Sequence, residues 1–246
     1  MSALRSPLTP LLGVVAILVL AWSVAVPPFQ VPDEVGHFAY VQSIAEGQGR
    51  PDQGTADYST EQDWAKFLSL AIRSHSDTDL KPAWDASAER AWERVDAQLG
   101  DADRRDVGSL GAQVLHPPLY YGYEAVAYEA ASGGDLFDRL QLMRLWSGLL
   151  MLVTTTGAWL LVGELTGRDR VLQLAGAACV GLQPMATFVS AGVNPDAALF
   201  ATFSIALWLG VRVLRRGPSW GSVAALLAVV AAAALVKPAG MALLPA

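Results

Sequence analysis

One cysteine in 246 residues leaves no partner for an intrachain disulfide, so this is not a disulfide-stapled secreted module. That cysteine, Cys179, lies in an apolar run and reads as a small buried residue. Lysine is nearly absent, with three against fourteen arginines, while alanine, glycine and valine abound; this composition reads as that of a GC-rich bacterial genome. No basic stripe is present, which argues against a nucleic-acid partner. There is no glycine-rich phosphate loop, no zinc-ligand spacing and no G-x-S-x-G elbow. No alternating strand pattern stands out either, so the fold class expected is all-α. His75, one of only three histidines, stands alone in a polar stretch and reads as solvated.

Charge is also missing, but only locally. Residues 27–138 hold 20 of the 23 acidic and 8 of the 17 basic side chains, a net charge of −12, and the remainder carries +6. Membrane proteins segregate charge in this way, because ions are costly in hydrocarbon and collect in loops. Five apolar runs approach the roughly 20 residues that cross a bilayer. They are Leu8–Val26, Leu145–Val162, Val171–Val193, Ala197–Val211 and Trp220–Val236. The first has the basic start and small-residue end of a signal peptide, but it is long for one and reads as a retained anchor. The expectation is therefore a polytopic helix bundle of about five spans. Its parts are a first transmembrane helix over 1–26, a large loop over 27–137, and spans two to five over 138–246.

Short-loop arginines set the orientation. Arg5, then Arg168 and Arg170, then Arg212, Arg215 and Arg216 fall on alternate connections, all consistent with the cytoplasm. The connection 191–196 has no basic residue. It and the 27–137 loop then face outward, which predicts a multi-pass protein of the bacterial cytoplasmic membrane with its large loop extracytoplasmic. Within that loop, a helical pattern opens at Pro32-Asp33-Glu34 and runs to about Ala45, and helices are expected over Glu61–Ile72, Ser87–Leu99 and Leu119–Ala131, the last suited to lie along the membrane surface. Gly47–Thr60 reads as a turn-rich connection.

Several clusters could carry chemistry. Asp33, Glu34 and His37 follow span one at helical spacing, so one face can gather all three. Asp33 sits at the expected helix start, where the exposed N–H groups favour a carboxylate. It suits a general base toward a hydroxyl, and Asp33, Glu34 and His37 together are the candidate ligands if a divalent cation is used. An N-cap with a solvated acid pair is the plain alternative. His116-Pro117-Pro118-Leu119-Tyr120-Tyr121 is either a stiff helix entrance with interfacial aromatics or part of a binding site through His116 and Tyr120. Asn194-Pro195-Asp196 offers a cap for span four or polar groups facing Asp33's compartment. Arg139 and Arg144 break the charge bias at the outer end of span two. They could meet an anionic lipid headgroup, or pair with the acidic loop through Asp135 or Asp138. Lys237 interrupts span five, as a functional ion or one snorkelling to the surface.

In order and spacing these pieces resemble the GT-C superfamily of membrane glycosyltransferases, and most nearly a bacterial branch of it whose function is unknown. The resemblance rests on Val31-Pro32-Asp33-Glu34-x-x-His37-Phe38 after the first span, then His116-Pro117-Pro118-Leu119-Tyr120-Tyr121 at the end of a long outer loop. Arg144-Leu145-Trp146-Ser147, Gln183-Pro184, Asn194-Pro195-Asp196 and Ala234-Leu235-Val236-Lys237-Pro238 follow. It covers nearly the whole chain.

The resemblance implies an enzyme that takes a sugar from a polyprenyl-phosphate donor at the outer leaflet, with inversion, and passes it to a glycan, lipid or protein acceptor. Asp33 would act at the centre with Glu34 beside it. His37, His116, Tyr120, Asn194, Asp196 and Lys237 would line the substrate cavity, and Arg144 would meet the lipid phosphate. No organic cofactor is implied, and a divalent cation is the one cofactor left open. Members of the superfamily usually carry more spans, so this chain is expected to be the N-terminal part of such an enzyme or a shortened relative. Two other classes remain in play: a non-catalytic protein that binds a lipid-linked glycan or serves assembly, and a transporter or flippase. A transporter should place polar groups and broken helices at mid-membrane.

Overall fold

A computed structural model describes residues 6–69, 79 and 84–244. His75 and the end of the helix expected over Glu61–Ile72 lie outside them. Among the described residues the elements are helical, with one isolated bridge between Gln53 and Leu110 and no strand. The chain divides into two compact units. One comprises residues 1–22, 145–191 and 195–246, and the other residues 23–144 and 192–194. The division falls at 144/145, within the helix Leu136–Leu165, and a three-residue piece, 192–194, groups with residues 23–144.

Among the described residues, three helices are long and apolar enough to cross a membrane: α1 (Leu8–Ala25), α7 (Leu136–Leu165) and α10 (Asp196–Arg216). The third expected run does not form one helix. It breaks into α8 (Arg170–Gly181) and α9 (Pro184–Ser190), bent by 59°. Pro184 has no N–H to continue the ladder, and Gln183 turns its side-chain oxygen onto the Ala186 N–H to start the new helix. Counted as one span, the pair makes four. The fifth run forms α11 (Trp220–Val236), an apolar helix of 17 residues.

In the apolar unit, α1 buries Leu11, Val15 and Val19 at four-residue steps against Met151, Trp159 and Ala177. Its opposite face leaves Val14, Ile17 and Val24 exposed. A helix apolar all round, with only one stripe covered by protein, is what lipid solvation requires. Gly148 of α7 permits the close approach of Val19, since a Cβ there would collide with that side chain. The hydroxyls of Thr154, Thr155 and Thr156 turn back onto the carbonyls four residues earlier, so this polar run satisfies itself within the helix.

Helix ends meet in two groups. At one, Arg170 reaches Ser6, and Arg215 and Arg216 meet the carboxyl end of α7. At the other, Lys237 pairs with Asp196 at 2.6 Å. Cys179 corrects the sequence reading: it lies exposed on α8 rather than buried.

The loop unit contains α2 (Glu34–Ala45), α3 (Thr60–Leu68), α4 (Ala86–Asp96), the short α5 (Asp101–Arg104), a 3-10 turn over Ala112–Leu115, and α6 (Leu119–Ala130). Ser59 and Asp85 cap α3 and α4 with their own oxygens. Helix α6 packs along α2, with Tyr121 stacked on Tyr40 at 3.7 Å and Tyr128 beside Phe38. Trp92 of α4 is fully buried and donates to Asp135 at 2.6 Å.

Candidate functional site

The turn from α1 into α2 is tightly specified. Its centre is Glu34, the first residue of α2, with no exposed surface. Arg144, near the start of α7, meets it as a fork: Nε donates to Oε1 at 2.8 Å and Nη2 to Oε2 at 2.6 Å. Nη1 donates to the carbonyls of Ser23 and Val26, and Nη2 also to that of Pro27. A guanidinium has five N–H donors, and all five are used. The three carbonyls lie at the carboxyl end of α1 and just past it, where helical oxygens lack partners and a cation is welcome. The Val193 N–H adds a third donor to Glu34, and the Asn194 amide donates to the Pro32 carbonyl at 3.0 Å. Gly192 packs against Val31 so closely that a Cβ would collide with it.

These contacts fix the residues on either side of Asp33. Its backbone is left-handed, at φ 58° and ψ 9°, and its side chain makes no capping bond. The cap expected from sequence is therefore absent; the left-handed backbone turns the carboxylate away from the first N–H groups of α2. Aspartate tolerates this region better than most residues, yet it costs roughly 1 kcal/mol or more and persists only where the surroundings enforce it. Glu34 and Arg144 supply that enforcement. Asp33 itself is exposed.

Beside it lies a ring of aromatic and imidazole groups. His37 is buried, with Nδ1 2.9 Å from the Tyr121 hydroxyl. The His116 ring lies 5.8 Å from that of His37, and the Tyr40 hydroxyl donates to the His116 carbonyl at 3.4 Å. Burial, the neighbouring Tyr40 and the charge of Asp33 push the Tyr121 hydroxyl well above its ordinary pKa. It stays protonated at any physiological pH and can donate.

The sequence-predicted residues thus separate. Asp33, Glu34, His37, His116, Arg144 and Asn194 belong to one constellation. Tyr120 is instead a core residue, 1% exposed and packed edge-on against Tyr121. Tyr121, one helical step further, meets His37. Arg144 corrects the expectation that it serves a lipid phosphate, since no N–H is left to offer. Asp196 and Lys237 belong to the other unit and neutralise each other. Asp196 is the first residue of α10 and not its cap.

Arg139 does pair with the acidic loop, though through neither expected carboxylate. It meets Glu61 at 2.5 Å and the Tyr128 hydroxyl at 3.0 Å, and bonds Asp135 only through that residue's backbone carbonyl. Gln42, Ser59 and Arg104 complete this buried network. The cation site drawn from Asp33, Glu34 and His37 does not fit. Glu34 is committed to Arg144, His37 faces Tyr121, and among the described residues no three His, Cys, Asp or Glu side chains gather to hold a metal.

Comparison with known families bears on this arrangement. The sequence profile of a predicted membrane protein family, DUF2142, matches residues 16–245. The chain belongs to the DUF2142 family. No curated protein and no solved structure matches it. Membership accords with the apolar helices, and the matched stretch takes in every residue of the Asp33 turn, its clamp and its aromatic ring.

Proposed function

We propose that this DUF2142 chain is a membrane glycosyltransferase, or the N-terminal part of one. It moves a sugar from a polyprenyl-phosphate donor to an acceptor hydroxyl on the outer face of the bacterial cytoplasmic membrane. The observation that carries the reading is Asp33, an exposed carboxylate on a left-handed backbone that a buried ion pair holds in place. Strain enforced by a satisfied scaffold concentrates at working sites. In the proposed reaction the acceptor oxygen attacks the anomeric carbon and a new C–O bond forms on the face opposite the leaving group. The bond from that carbon to the phosphate oxygen breaks, and polyprenyl phosphate leaves with the electron pair. Asp33 takes the acceptor proton. Tyr121 and His37 back this site, buried and hydrogen-bonded to each other. The outward placing of Asp33 rests on the arginine pattern of the short connections.

The test is transfer of radiolabelled sugar from a panel of polyprenyl-phosphate donors in membranes, using the full gene product and its Asp33→Asn variant. Asparagine accepts the left-handed backbone, so the turn survives while the base is lost. Transfer by the parent and none by the variant, at equal protein level and with donor lipid still bound, supports an enzyme. Equal transfer removes Asp33 from the chemistry. One observation favours a second reading: Arg144 and Glu34 are spent on each other. That suits a non-catalytic protein holding a lipid-linked glycan, and absence of transfer by both forms moves the assignment there.

A further inference from the structure

The apolar unit contains a cavity of about 240 Å³ where the carboxyl end of α7, the start of α8 and the last turns of α10 come together. Its walls include Arg168, Arg170 and Arg212 together with Trp159, Trp208 and Gln173. The charge at this end is unbalanced. Arg215 and Arg216 add to the three arginines, and only Glu164 and Asp169 oppose them. Asp169 is occupied in capping α8 through the Val171 and Leu172 N–H groups. Both oxygens of Glu164 are taken by Arg216, with Arg212 at 3.8 Å.

Arg170 touches Ser6 and lies over the Trp159 ring, and Arg212 lies over the Trp208 ring. The Arg168 side chain has no partner among the described residues, and its backbone is left-handed at φ 69°. This leaves a cleft with aromatic walls, a net excess of guanidinium and one guanidinium uncommitted. Guanidinium forks match phosphate oxygens, and aromatic walls suit the glycerol and first methylenes behind them. The same end of α10 and the start of α11 carry Leu214 and Trp220, 85% and 94% exposed. An exposed tryptophan beside arginines is the composition of a membrane–water interface.

We infer that this cleft binds the phosphate of an anionic phospholipid headgroup, with Arg168 as the principal free donor and Arg170 and Arg212 beside it. The site belongs to the other unit from the Asp33 constellation and does not depend on the reaction proposed there.

The test uses the full chain purified in neutral detergent, titrated with phosphatidylglycerol, with phosphatidylcholine and with inorganic phosphate. Native mass spectrometry counts retained lipid, and thermal unfolding reports protection. Phosphatidylglycerol should be retained and protective, and phosphatidylcholine should not. Arg168→Gln should weaken phosphatidylglycerol binding about fivefold, the worth of one basic residue at an anionic surface. Its lipid-free unfolding temperature should stay unchanged, because the Arg168 side chain bonds none of the described residues. Arg94→Gln, a charge change in the other unit, serves as the control. Equal binding by parent and Arg168→Gln, or equal loss with Arg94→Gln, overturns the site. Protection by inorganic phosphate equal to that by phosphatidylglycerol overturns the lipid assignment in favour of a free anion.

Discussion

At the scale of single residues, Asp33 and Arg144 show how far type and position can mislead about role. Both stand out in the sequence, Asp33 as a helix-start acid and Arg144 as a cation beside a span. Neither does what its neighbours in sequence suggest, because the contacts that fix this turn come from far along the chain. Glu34 is 110 residues from Arg144, and Val193 is 159 from Glu34. Removing one member of a buried ion pair strands the other, at about 3–5 kcal/mol. Arg144→Met and Glu34→Leu should each lower the unfolding midpoint of the purified chain strongly. The double variant should fall short of the summed losses, and strict additivity would mean the two side chains do not depend on each other. Asp33 gives a finer contrast. Asp33→Ala should cost about 1 kcal/mol more than Asp33→Asn in the same unfolding experiment, because alanine has no means of easing a left-handed backbone. The motif from His116 to Tyr121 points to Tyr120 as a binding residue, yet Tyr121 is the one that meets His37. The two differ by 100° around α6, and only the packing of α6 on α2 decides which meets His37.

At the scale of elements, much of the fold was legible. Helix α2 starts at the last residue of the opening Pro32-Asp33-Glu34 and runs to Ala45, close to the pattern read from sequence, and α6 follows nearly all of Leu119–Ala131. These helices are read from periodicity and local caps, which are properties of neighbouring residues. The break between α8 and α9 is written in Gln183-Pro184, but an unbroken apolar count from Val171 to Val193 conceals it. What sequence could not show is close approach between distant elements. Gly192 against Val31 is the sharpest case. Gly192→Ala should destabilise by about 1–3 kcal/mol through overpacking. Val31→Ala in the same chain should restore part of that loss by removing the obstructing methyls. If the double variant is no better than Gly192→Ala alone, the collision with Val31 is not what fixes this connection.

At the scale of the whole molecule, the division between apolar and acidic parts was visible in charge counts alone, whereas the contribution of residues 192–194 to the acidic unit was not. Orientation has a direct measurement. With Cys179 replaced by serine, a cysteine at Ser87 should react with a membrane-impermeant maleimide in intact cells. One at Pro218, beside the arginine-rich turn, should react only after the membrane is opened. The reverse pattern would put the Asp33 constellation in the cytoplasm and remove an outer-leaflet donor from consideration.

The clamp around Glu34 also sets a timetable. Its acid emerges from the ribosome first, its arginine 110 residues later, and the Val193 N–H 159 residues after the acid. At 5–20 residues per second that interval is roughly 8–30 s. Until it ends the strained turn at Asp33 lacks part of what holds it, so the site matures well after its own residues are made. Nascent chains arrested before residue 192 should therefore carry an Asp33 turn open to protease, and chains released beyond residue 194 a protected one.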